Sequence, residues 1–186
     1  MSLVELIAQA DERGLAASGL ACLDRCVPLL GGDDEVLRPM WASIADGSEW
    51  TAGLEKARGA LGPAQAGEDE AEHLAHRMLD AAPAERTAEA IRAWADACSV
   101  ASLRIHRLLD PAAGDGSSAD GLEAGRADGV AADVSPLVAA ELRRQVVVLE
   151  LLAEHGTNGL RRALDVSVEG RRVLQAVVSR RARSRG

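Results

Sequence analysis

The sequence has no phenylalanine and no tyrosine, and its only aromatic residues are Trp41, Trp50 and Trp94. Isoleucine is also scarce, with 4 residues against 36 alanines and 24 leucines in a chain of 186. Strands favour β-branched and aromatic residues, whereas helices favour alanine and leucine. The composition therefore argues against an all-β fold and makes a parallel-sheet α/β fold a poor fit. It also disfavours nucleic-acid-binding modules that stack bases on aromatic side chains.

Long apolar runs and a basic leader are absent as well. No stretch approaches the roughly 18 apolar residues that a membrane-spanning helix needs. The first residues lack the basic region that precedes the apolar part of a secretory signal. Cys22, Cys26 and Cys98 are too few and too scattered for a disulfide framework, and we expect them to be small apolar core residues. These absences predict a cytoplasmic protein with reduced thiols.

Basic charge is unusual in kind and in position. Lys56 is the only lysine against 20 arginines, which together with the excess of alanine and glycine is typical of a GC-rich bacterial genome. The net charge is −8, but residues 141–186 carry ten arginines and five acids, a balance of +5 that leaves −13 for the first 140 residues. Such a basic tail either folds back on the acidic body or binds an external polyanion. The alternative, which we favour, is that tail and body are both solvated faces of one bundle.

Apolar periodicity predicts an all-α, multi-helix bundle of about eight helices. Ser2 and Glu5 have the spacing of a capping box, which predicts a helix that begins at Leu3, and Gly14 suits its end. Long helices are expected near 84–110, 136–155 and 158–182. The first of these has an apolar period of 3.5 residues, typical of bundle packing. This heptad face consists of Thr87, Ile91, Trp94, Cys98, Ala101, Ile105 and Leu108.

The second long helix is apolar on all sides around residues 146–152, which predicts that it is the central helix of the bundle. Residues 111–134 contain five glycines and four aspartates and are predicted to form a flexible loop. We expect a single all-helical domain over 1–186. Short helices occupy 1–61 of this domain, and a bundle of long helices occupies 68–183.

One spacing suggests a metal site. Glu70 and His73 have the Glu-x-x-His separation that di-iron carboxylate bundles use, and His76 lies one further turn along the same helix. Such a site needs a second copy of the motif and further inward carboxylates, and the sequence offers no second copy. The alternative is a solvated helix start, where acidic residues suit the helix dipole. Glu70, His73 and His76 are therefore the metal-ligand candidates of a carboxylate-bundle enzyme.

A second pattern resembles a bacterial helix-turn-helix regulator. Residues Leu160 to Ser167 look like the turn that precedes a recognition helix, and the resemblance implies a DNA-binding element over 158–178. Arg161 and Arg171 depart from it, because they stand where buried apolar residues are expected. The alternative is one terminal helix with its arginines outward. The nucleic-acid-contact candidates are Arg171, Arg172, Arg180 and Arg181.

No complete catalytic set or phosphate-binding loop is present in the sequence, and no cofactor is expected. We therefore favour a non-enzymatic helical module that binds another protein, or a second copy of itself, as an adaptor or regulator. The heptad face of residues 87–108 is the predicted contact surface. The DNA-binding regulator and the metal-dependent enzyme are the two alternatives. Neither a nucleic-acid partner nor a membrane is expected under the favoured hypothesis.

Overall fold

A computed structural model describes residues 1–113, 119–128 and 134–186. These residues form nine α-helices and two short 3₁₀ helices and contain no β-strand, which confirms the predicted all-α, multi-helix fold. In the same residues, no helix combines the length and the apolar character needed to span a bilayer. The α-helices are α1 (Leu3–Gln9), α2 (Glu12–Cys26), α3 (Arg38–Asp46), α4 (Trp50–Leu61), α5 (Glu70–Asp80), α6 (Ala88–Leu109), α7 (Ala119–Asp128), α8 (Pro136–His155) and α9 (Leu160–Arg185). The 3₁₀ helices are Val27–Leu29 and Gly156–Gly159.

The three long helices lie where the sequence placed them, and the first capping box is confirmed. The Ser2 hydroxyl accepts a hydrogen bond from the backbone N–H of Glu5 at 3.2 Å. The Glu5 carboxylate accepts one from the backbone N–H of Ser2 at 2.7 Å. The prediction that Gly14 ends this helix is wrong. Asp11 caps a new helix instead, because its carboxylate accepts the backbone N–H of Gly14 at 2.7 Å.

The prediction of a loop over 111–134 is wrong for residues 119–128, which form α7. Leu122 of this helix is buried. Arg126 is buried too and forms ion pairs with Asp96 of α6 and with Glu123. Burial of Leu122 and the ion pair with Asp96, 30 residues away, stabilise a glycine-containing helix whose local sequence favours a loop. Residues 114–118 and 129–133 of the predicted loop lie outside the described residues.

The central helix is α2, and not the helix over 136–155 as predicted. Every residue of α2 from Gly14 to Cys26 is buried, and α6, α8 and α9 all pack against it. In α8, by contrast, Arg143, Val147 and Glu150 are exposed. The small residues of α2 allow neighbouring helices to approach on several sides, which hydropathy alone does not reveal. One hydrophobic core therefore includes residues from both the short-helix part and the long-helix part of the chain.

Candidate functional site

A fully buried ion pair joins α2 to α8. Arg25 and Glu141 are both fully buried. The Nε and Nη2 atoms of Arg25 donate to the two carboxylate oxygens of Glu141, each at 2.7 Å. This two-bond geometry is the strongest arrangement available to a guanidinium and a carboxylate. It joins residues that are 116 positions apart in the sequence.

Side chains from two more helices complete a buried polar cluster around this pair. Glu141 Oε1 also accepts hydrogen bonds from Ser102 Oγ of α6 at 2.8 Å and from Gln145 Nε2 at 2.9 Å. Arg25 Nη1 donates to Ser167 Oγ of α9 at 3.5 Å. Four helices therefore meet at one charged centre. Ser99 Oγ joins the cluster by donating to Gln145 Oε1 at 2.6 Å. The members are Arg25, Ser99, Ser102, His106, Glu141, Gln145 and Ser167.

The charge states in the cluster follow from burial and from the neighbours. Burial opposes ionisation of Glu141, but Arg25, His106 and the hydrogen bonds lower its pKa to about 2. Burial lowers the pKa of His106, and this effect outweighs the opposite effect of Glu141. The ring nitrogen Nε2 of His106 lies 3.5 Å from Glu141 Oε2. The other ring nitrogen, Nδ1, lies 2.7 Å from the carbonyl oxygen of Ser102, which places the ring proton on Nδ1 as the donor.

The nearby thiols are not activated. Burial raises the pKa of Cys22 to about 12 and raises the pKa of Cys26 as well. Arg25 Nη2 donates to Cys22 Sγ at 3.6 Å, and this contact only partly opposes the effect of burial. Nucleophilic attack and metal binding both need the thiolate. At neutral pH these cysteines are therefore core residues.

A second buried ion pair joins α2 to α9. Asp24 contacts Arg171 Nη1 through one carboxylate oxygen, and the other oxygen accepts a hydrogen bond from Trp41 Nε1 at 2.9 Å. Burial raises the pKa of Asp24, although Arg171 and the hydrogen bond from Trp41 act in the opposite direction. The prediction that Arg171 faces solvent as a nucleic-acid contact is wrong. Arg171 is buried because a carboxylate 147 residues away neutralises it.

The metal-ligand candidates do not converge. His76 is buried with its Nδ1 2.7 Å from Glu68 Oε1, whereas Glu70 and His73 are exposed. Glu70 instead lies 3.3 Å from Arg104. Among the described residues, no group of three or more histidine, cysteine, aspartate or glutamate side chains is placed to hold a metal ion. The described structure therefore does not assemble the predicted carboxylate site.

The helix-turn-helix prediction is wrong at its turn. Residues 160–185 form one continuous helix, so no bend at residues 164–167 separates a recognition helix. Of the remaining nucleic-acid candidates, Arg172 and Arg180 are exposed. Arg181 is bound to Asp69, the N-cap of α5, at 2.9 Å. The basic tail thus folds back on the acidic body through at least Arg171 and Arg181.

An accessible feature lies between α5 and α6, where the surface forms an open groove of about 310 Å³. Its lining is mostly apolar and includes three members of the heptad face, with two arginines that add positive charge. The lining residues are Leu74, Arg77, Met78, Ala81, Trp94, Ala97, Cys98, Val100, Ala101 and Arg104. Of the other members of the heptad face, Ile91 and Ile105 are fully buried, whereas Thr87, the N-cap of α6, and Leu108 are exposed.

Sequence reasoning missed both the buried polar cluster and the groove. A signal for the cluster did exist, because Arg25 and Glu141 interrupt apolar helical stripes with opposite charges. The groove left no comparable signal. Arg77 looks like an ordinary surface residue, and only the packing of α5 on α6 places it beside Trp94 and Ala97.

No family model, curated protein or solved structure matches this chain.

Proposed function

We propose that this chain is a helical interaction module, and that the groove between α5 and α6 receives a helix from a partner protein. The observation that carries the proposal is the groove itself, an open apolar surface with two arginines in a chain of net charge −8. Helix-in-groove binding uses the apolar face of an amphipathic helix to fill such a surface. The partner helix therefore has an apolar face.

The shape of the groove suits a helix. Ala81, Ala97 and Ala101 are small, so the backbone of a bound helix approaches α5 and α6 closely. Trp94 and Met78 line the groove as an almost fully buried apolar floor.

The charge of the groove selects the partner. None of its described lining residues is acidic, and Arg77 and Arg104 supply two positive charges. Glu70 competes only weakly with a partner carboxylate for Arg104, since both side chains of the Arg104–Glu70 pair are about half exposed. Aspartate or glutamate beside the apolar face of the partner helix then pairs with these arginines. Complementary charge of this kind improves specificity and the rate of association.

Site-specific photocrosslinking tests the proposal. A photoreactive amino acid replaces Ala97 in the groove or, as the control, Ala60, an exposed alanine on α4. We expect position 97, but not position 60, to capture one dominant partner in the source cells. The captured segment, made as a peptide, should bind the purified protein. Replacement of its acidic residues by amides should weaken binding by about tenfold.

Ala97→Glu provides the reciprocal test. The larger side chain fills the groove, and its negative charge has the same sign as the acidic residues of the partner helix. The substitution should weaken peptide binding by more than tenfold, whereas Ala60→Glu should leave the affinity unchanged. Circular dichroism controls for folding of both variants. Equal labelling at positions 60 and 97, or peptide binding that Ala97→Glu does not affect, would contradict the proposal.

A further inference from the structure

A second surface, formed by α8 and α9, exposes apolar side chains that no described part of the chain covers. Val147 of α8 is 39% exposed and Val173 of α9 is 38% exposed, and both are among the most exposed large apolar residues. Ala140 and Val147 are separated by seven residues on α8. Val166 and Val173 have the same separation on α9. A seven-residue repeat keeps apolar side chains on one side of a helix, as in helix–helix interfaces.

This α8–α9 face carries charges of both signs. Arg143, Arg144 and Glu169 line the same shallow groove as Ala140, Val147 and Val166. Arg143 and Glu169 are exposed. We call two residues at the same height, one on α8 and one on α9, a row. The charged row is positive on α8 and negative on α9, and one apolar row lies on each side of it.

The two helices run antiparallel, because only the four-residue 3₁₀ helix Gly156–Gly159 separates them and they pack along their lengths. The register follows from buried contacts. A Cβ atom on Gly170 would lie 3.0 Å from Arg144 Cδ, so Arg144 stands level with Gly170 and its neighbour Glu169. One turn away in each direction, Val147 is level with Val166 and Ala140 with Val173.

We propose that the α8–α9 face binds a second copy of this chain in a two-fold symmetric dimer. A two-fold axis parallel to the helices places α8 of one copy opposite α9 of the other at the same height. Each row then meets its complement. Arg143 faces Glu169 of the second copy, and Val147 faces its Val166. Every contact occurs twice, as an isologous interface requires.

The charge pattern explains why a second copy fits better than an unrelated partner. An apolar surface with charge of one sign selects a partner of the opposite sign, whereas a surface with paired opposite charges is complementary to itself. The next row continues the pattern, since exposed Glu150 of α8 and exposed Arg162 of α9 are again opposite in sign. A dimer of this kind carries two copies of the α5–α6 groove. The dimer itself does not depend on the function proposed for that groove.

Charge reversal with mixing tests the dimer. Analytical ultracentrifugation should show the unmodified protein as a dimer that dissociates on dilution. Arg143→Glu alone and Glu169→Arg alone should each weaken self-association at least tenfold, because each places like charges opposite one another. An equimolar mixture of the two variants should form a heterodimer, since every reversed charge then faces its complement. The double variant should dimerise by itself for the same reason.

Matched controls use Arg161 and Asp165, which are exposed on α9 beside this face but outside its rows. Arg161→Glu and Asp165→Arg should leave the dimer intact, and circular dichroism should show all variants folded. The proposal is overturned if the unmodified protein remains monomeric at about 1 mM. It is also overturned if the control variants weaken the dimer equally, or if the mixture and the double variant fail to restore it.

Discussion

Individual charged residues in this protein have roles that depend on partners far away in the sequence. Arg25 and Asp24 are neighbours on α2, yet Arg25 binds Glu141 of α8 and Asp24 binds Arg171 of α9. The two pairs fix how both long helices dock on the central one. Burying a charge is costly unless a partner of opposite charge compensates it, so a helix arrangement that separated either pair would be less stable.

Removal of one member of the Arg25–Glu141 pair should be strongly destabilising. Glu141→Gln leaves a fully buried guanidinium without its counter-charge, and we expect a loss of about 3–5 kcal/mol in the free energy of unfolding. Urea denaturation followed by circular dichroism measures this change. Glu55→Gln, an exposed change of the same kind on α4 and away from both proposed interfaces, should alter stability by less than about 0.5 kcal/mol.

The double variant Arg25→Met, Glu141→Leu distinguishes a charge effect from a packing effect. Removing both charges leaves no uncompensated ion, so this variant should be more stable than Glu141→Gln. If Glu141→Gln proves as harmless as Glu55→Gln, the interpretation of the pair as a closely coupled buried contact is wrong.

At the scale of elements, helix contacts depend on positions where a side chain would not fit. A Cβ atom on Gly170 of α9 would lie 2.4 Å from Cδ of Arg25, whose guanidinium is held by Glu141. A Cβ atom on Gly19 of α2 would lie 2.7 Å from the Trp94 ring of α6. These two glycines therefore set the distances at which α9 and α6 approach the central helix.

Glycine-to-alanine substitutions separate this packing effect from helix propensity. Alanine is favoured over glycine inside a helix by about 1 kcal/mol. Gly59→Ala in α4, where the Cβ atom meets nothing within 4 Å, should therefore stabilise the protein. Gly170→Ala and Gly19→Ala should destabilise it, because the neighbouring side chains must move. Thermal unfolding measures all three, and stabilisation by Gly170→Ala would contradict the close approach.

At the scale of the whole molecule, the centre of the fold comes from its amino-terminal quarter. The sequence pattern predicts a short-helix part over 1–61 and a long-helix bundle over 68–183. In the structure, α2 lies in the middle of that bundle and contacts α6, α8 and α9. A single core spans both parts. The long helices therefore depend on the short-helix part for their packing.

A fragment of residues 68–186 tests this dependence. Without α2, Glu141 and Arg171 lose their buried partners and the inner faces of α6, α8 and α9 lose their contact surface. We expect the fragment to lack a cooperative thermal transition in circular dichroism, whereas the full chain should show a single one. Addition of a separate 1–61 fragment should restore helical structure if the two parts fold together. Cooperative unfolding of the 68–186 fragment alone would contradict a shared core.

Much of the secondary structure was predictable because its signals are local. The capping box at Ser2 is formed by residues only three positions apart. The apolar patterns of α6, α8 and α9 likewise depend on residues a few positions apart in the sequence. The helix α7 escaped prediction because its glycines favour a loop, and a distant ion pair between Arg126 and Asp96 helps hold it. The same limit applies to the candidate site, since the groove joins side chains of two helices that sequence periodicity cannot place side by side.

The amino-acid sequence by itself determined the helical class, the positions of the long helices and the charge asymmetry. Composition and charge are properties of the chain itself, and helical periodicity depends only on residues within one or two turns. Only the tertiary structure decided that α2 is central, that Arg171 is buried, and that the basic tail contacts the acidic body. These outcomes depend on which helices pack together. Opposite charges more than a hundred residues apart meet only when the whole core has formed.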